Sequence, residues 1–217
     1  MNTVKNPTYP SLLDAAWPSS SEAAKLARNA LLALLGAALL TISAKIQIPF
    51  WPVPLTMQTF VVLVLGVVYG LRLGSATMVV YLVLGAIGLP VFAGTPEKGI
   101  GIGYMQGATG GYLIGFVCAA AMCGWLAERG WDRSWLKAAI AMILGHLLIL
   151  ALGWARLAAL IGPAKAYYAG VAPFYTATLL KTALAVAVLP TAWKLLGARR
   201  SAPPSADRDS GDPNRSI

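Results

Sequence analysis

The chain has 217 residues, of which 58% are hydrophobic and 12% charged, and its mean hydropathy is +0.68. A soluble domain carries about 25% charged residues; this chain has too few charges to cover a water-exposed surface, and a domain of this length cannot hide the excess in one dry core. The net charge of +9 does not point to nucleic acid, because the basic residues sit in short gaps between apolar runs and form no stripe interleaved with aromatics.

In chain order, residues 1–24 open with a polar stretch containing three prolines and read as a disordered arm. The first membrane span runs from Leu26 to Ile46. It continues straight into a motif-rich loop, which favours a retained span over a cleaved signal peptide. A Pro-rich loop follows, Ile48 to Thr56, with prolines at 49, 52 and 54 fixing an extended path. The second span is Met57 to about Gly70, and the third is Gly74 to Phe92. A glycine-rich loop then leads to the fourth, Thr109 to Ala127. The segment 128–135 reads as aqueous. The fifth span is Leu136 to about Trp154, followed by a mixed stretch. The sixth is Pro173 to about Leu196, and 198–217 reads as a disordered tail. The expectation is an all-α, polytopic membrane protein: a six-helix bundle over 25–197.

Charge orients the bundle. Lys5, Lys25, Arg28, Arg72, Arg129, Arg133, Lys137, Lys194, Arg199, Arg200, Arg208 and Arg215 fall on one side, and Lys45, Lys98 and Lys165 on the other. The bias places both termini in the cytoplasm and the three elaborate loops outside, where a ligand would be received.

Lys181 is the sharpest candidate for chemistry. It lies about 12 Å into the sixth span at 1.5 Å per residue. A lysine at that depth costs at least about 2.5 kcal/mol and calls for a cavity or a partner. None of the eight acidic residues lies deep in a span, so an anionic ligand is an attractive partner. Thr178 shares its helix face. Gln58, flanked by Thr56 and Thr59, can read a polar edge as the second span opens. The run GATGGYLIGF brings Gly111 and Tyr112 to the outer entry of a helix, where backbone can approach closely.

Ala33 and Ala37, four residues apart, suit either an internal helix contact or a docking face. His146 in the fifth span reads as a satisfied core group. Cys118 and Cys123, with no histidine nearby, offer no metal site, and the glycine spacing fits no nucleotide loop, so neither metal nor cofactor is expected.

Four stretches carry a resemblance: PFWPVPLTMQTF (49–60), YLVLGAIGLPVFAG (81–94), GATGGYLIGF (107–116) and GVAPFYTATLLK (170–181). In this order, from about Ala44 to Leu184, the chain resembles the BioY-type substrate-binding components of energy-coupling-factor vitamin transporters, which capture biotin. The resemblance implies a biotin pocket near the outer face of a six-helix bundle, roofed by the loops after spans one, three and five.

It also implies a bacterial cytoplasmic-membrane location, and energisation by a transmembrane scaffold protein with two ATPases, for which the Ala33/Ala37 face is the candidate docking surface. A solitary or homo-oligomeric mode stays open. Lys181 matches the family's ligand-contacting lysine. The aspartate three residues before it is Thr178 here, a hydroxyl that can bond a ureido group but cannot balance the lysine. Lys181 and Thr178 are expected to read one polar end of the ligand, with Gln58, Tyr112 and Gly111 nearby. The alternatives are the same fold specific for another vitamin, a membrane-embedded enzyme using His146 or Lys181, and an assembly protein.

Overall fold

The structure, a computed structural model, describes residues 9–48 and 51–201. Lys5, Pro49, Arg208, Arg215 and the tail beyond residue 201 lie outside the described residues. Five helices are long and apolar enough to cross a membrane: α2 (Glu22–Lys45), α3 (Gln58–Ala86), α5 (Gly110–Ala127), α6 (Trp135–Ile161) and α8 (Phe174–Ser201). Short helices α1 (Leu12–Ala16), α4 (Gly101–Met105) and α7 (Pro163–Gly170) lie between or before them. Strands β1 (Gln47–Ile48) and β2 (Leu55–Thr56) pair antiparallel, Gln47 opposite Thr56, so the Pro-rich segment closes a small hairpin.

Helix α3 contains two of the six expected spans. Gly70 has φ 76° and ψ −178°, a conformation open almost only to glycine, and the chain reverses there. Gln58 lies twelve residues before Gly70 and Tyr81 eleven after it, so the two sit at equal height on antiparallel arms. Their side chains meet at 2.6 Å. The arms pack closely, and the first also packs on α5, where a Cβ at Gly66 would lie 2.7 Å from the Ala120 carbonyl oxygen. The outside of the bundle is apolar: Leu31, Leu34, Leu35, Leu39 and Ile42 of α2, and Leu179 and Leu180 of α8, are all exposed. Such a belt is solvated by lipid, not water.

Several boundaries differ from expectation. The third span ends at Ala86, short of Phe92, because Gly88 turns at φ 99° and Pro90 follows. Helix α6 runs on to Ile161, past Trp154. Arg156 is accommodated on it by donating to the Gln106 carbonyl, and Gly162 (φ 86°) ends it. Helix α8 continues to Ser201, into the segment expected as tail.

The described part of the expected arm, 9–24, is folded onto the bundle. Ser11 caps α1 by accepting from the Asp14 amide, Arg28 reaches the Asp14 carboxylate at 2.7 Å and the Trp17 carbonyl, and the Tyr9 amide donates to the Glu128 carbonyl at 2.7 Å. The 128–135 connection is likewise not simply aqueous. Asp132 is buried, its Oδ2 accepting from the Trp193 indole at 2.5 Å, while the Arg133 guanidinium lies over the rings of Tyr9 and Trp193.

The small-residue face of α2 is turned inward. Ala33 and Ala37 are buried, and a Cβ at the neighbouring Gly36 would lie 2.6 Å from Thr77 Cγ2 on α3. Small side chains there let α2 approach its own bundle, so Ala33 and Ala37 make the internal contact and are not a free docking face.

Candidate ligand-binding site

One end of the bundle gathers the three elaborate loops. The loop between α2 and α3 supplies Val53, Pro54 and Thr56. The loop between α3 and α5 supplies Ala93, Tyr104 and Thr109. The α7–α8 connection delivers Phe174 at the start of α8. With Gln58 and Thr59 of α3 and Tyr112, Leu113 and Phe116 of α5, they line a cavity that is partly open, with about 450 Å³ of empty space when its open mouth is included. Its mostly apolar wall with a few polar groups suits a small amphipathic molecule.

The roof loop after α3 is tied down by three polar side chains. The Lys45 ammonium, at the end of α2, donates to the Phe92 carbonyl (3.0 Å) and to the carbonyl and hydroxyl of Thr95 (2.7 and 3.0 Å). Tyr104 stacks on Phe92 and donates to the Ala93 carbonyl at 2.7 Å. Burial holds the Tyr104 phenol above its ordinary pKa, against a smaller lowering by its hydrogen bond with Thr109, so it stays a neutral donor. Tyr81 donates to the Val91 carbonyl at 3.0 Å.

The sequence-predicted residues divide. Gln58 and Tyr112 line the cavity. Tyr112 presents its ring, stacked toward Phe174, while its hydroxyl is committed to the Gly170 carbonyl at 2.7 Å. Lys181 stands one layer behind. Its ammonium donates to the Thr56 carbonyl (2.5 Å) and the Thr59 hydroxyl (3.0 Å), both wall residues, and its side chain borders the adjoining groove with Ile46, Leu55 and Ala177. Thr178 is half-buried on the same helix and is not among the residues lining the cavity.

Gly111 does not serve the cavity. A Cβ there would lie 2.2 Å from the Leu152 carbonyl oxygen, so its lack of a side chain lets α5 pack on α6. His146 is buried in α6 with Nδ1 3.0 Å from the Met142 carbonyl, away from the wall.

Sequence reasoning missed Val53, Ala93, Tyr104, Leu113 and Phe116. They are ordinary apolar or aromatic residues in loops and spans. Only the bundle topology, which stacks the three loops over one another, marks them out.

Comparison with known proteins settles the lineage. The BioY family model matches residues 15–198. The chain belongs to the BioY family. A protein of Pyrococcus horikoshii named "probable biotin transporter BioY" is 38% identical over 162 residues, covering 75% of this chain and 94% of that one. The "biotin transporter BioY" of Thermotoga maritima is 39% identical over 152 residues, covering 70% and 87%. Among solved structures, the S-component for biotin from an ECF-type ABC transporter superposes with a TM-score of 0.68 at 22% identity, over 81% of this chain and 95% of that one. That likeness establishes a shared membrane fold.

Proposed function

We propose that this chain captures biotin in the cavity beneath its three loops and serves as the substrate-binding component of an uptake system. The observation that carries the reading is the cavity itself. It is apolar-walled, sits where the loops of a BioY-family chain converge, and has Gln58 and Thr59 at its edge and Lys181 behind it. Biotin fits this chemistry with an apolar bicycle and chain, a urea edge and a carboxylate. Gln58 and Tyr112 contact it directly. Lys181 supports the Thr56–Thr59 wall and supplies positive potential for an anionic group.

The basic residues favour both termini in the cytoplasm and the cavity facing outward. The membrane-spanning unit is 25–197. Energisation falls to a transmembrane scaffold protein with two ATPases. Thr178 does not line the cavity, so this reading places no ligand contact on it.

The test is accumulation of radiolabelled biotin by biotin-auxotrophic cells expressing the chain, with unlabelled vitamins as competitors. Competition by biotin alone is expected. Competition by a different vitamin, or no chain-dependent accumulation with partners co-expressed, overturns the reading.

A further inference from the structure

The hydrogen bonds around Tyr81 fix the orientation of the Gln58 amide. The Tyr81 hydroxyl, fully buried, lies 3.0 Å from the Val91 carbonyl oxygen and 2.6 Å from the Gln58 amide. A hydroxyl has one proton, and a carbonyl can only accept, so that proton goes to Val91. The Tyr81 oxygen must then accept from Gln58, and only the amide nitrogen carries hydrogens. The choice between amide nitrogen and oxygen, often ambiguous, is decided here by the chain of bonds.

The Gln58 carbonyl is left over. With Nε2 committed to Tyr81, Oε1 is the amide atom left for the cavity that Gln58 lines. The open space against Gln58, otherwise a buried residue, is the cavity.

We infer that Tyr81 is a positioning residue, which locks the Gln58 amide with its oxygen toward the cavity so that the site accepts from a ligand N–H and rejects an oxygen acceptor in the same place. The inference rests on the biotin reading and deepens it, assigning the ureido edge of the ligand to Gln58. The lock also ties recognition to the roof, because the same hydroxyl holds Val91 at the start of the loop that supplies Ala93.

The test compares biotin with its two cyclic-carbamate analogues, in which a ring oxygen replaces one or the other ureido N–H without changing size. Affinities are measured on purified wild type, Tyr81→Phe and Gln58→Met. Wild type should prefer biotin over at least one carbamate by about tenfold or more, since an acceptor facing an acceptor leaves both unpaired. Tyr81→Phe frees the amide to turn its N–H toward the carbamate oxygen, so the preference should shrink at least about fivefold even if both affinities fall.

A folded Tyr81→Phe protein that weakens both ligands by the same factor assigns Tyr81 to the roof alone and overturns the inference. If Tyr81→Phe does not fold, Gln58→Met decides: a preference falling to about one supports the locked acceptor, and an unchanged preference overturns it. Wild type that binds biotin and carbamates equally overturns the inference while leaving the biotin reading standing, whereas wild type that binds no biotin removes the reading beneath it.

Discussion

The Lys181 ammonium is buried, among the described residues no carboxylate pairs with it, and the Thr56 carbonyl and Thr59 hydroxyl hold it in place. Hydrogen bonds to a charged group contribute about 1.5–3 kcal/mol, so the lysine fixes the position of two wall residues as well as supplying charge. Lys181→Met keeps much of the side-chain volume and removes both effects. It is expected to weaken biotin binding about tenfold or more in an equilibrium assay, and unchanged affinity would reduce Lys181 to a loop tie.

At the other end of the bundle, burial raises the Asp132 pKa above its ordinary value, outweighing the hydrogen bond from Trp193 and the nearby Arg133 charge. An acid whose pKa is raised on folding holds more protons folded than unfolded between the two values, so its contribution to stability is lost as pH rises through the folded pKa. Asp132→Asn keeps an acceptor for the indole and does not titrate. It should melt above wild type at neutral pH, with the gap closing toward about pH 4, near the unfolded carboxylate value. A gap independent of pH would contradict this account.

At the scale of elements, the turn within α3 decides the architecture. Gly70 allows two short arms to fold back on each other, and the Leu71 amide at the head of the second arm donates to Glu128 Oε1 at 2.8 Å. A Cβ at Gly70 would both enter the disfavoured conformation and lie 2.8 Å from that carboxylate oxygen. Gly70→Ala is therefore expected to cost at least roughly 1–3 kcal/mol, the range for such backbone strain, and to lower the melting temperature in detergent. An unshifted melt would mean the turn relaxes without strain.

The sequence places this turn near Gly70, because Arg72 interrupts the apolar run just after that glycine. It overran the end of the second arm by six residues. Val-, Leu- and Phe-rich loops have the same hydropathy as spans, and only the φ of Gly88 separates them. It stopped α6 early for the opposite reason: Arg156 reads as the end of a span unless the Gln106 carbonyl that accepts from it is known.

At the scale of the whole molecule, composition alone fixes the membrane class, and the family motifs bring the three roof loops together before any coordinates. What the sequence could not supply is facing. Ala33 and Ala37 carry the same small-residue pattern whether a helix packs inward or outward, and α2 turns them inward. Gly111 and Tyr112 are neighbours, yet one packs on α6 and the other on the cavity, since successive helix residues point about 100° apart.

The central claim is that biotin occupies this cavity. Ala93 lines it from a loop, outside any helix, so Ala93→Trp fills the space with little disturbance of the spans. The deciding measurement is equilibrium binding of radiolabelled biotin to purified wild type and Ala93→Trp, with matched melting curves. The account predicts saturable binding by wild type and none by an equally well-folded Ala93→Trp protein. Biotin bound equally by both, or by neither, would contradict it.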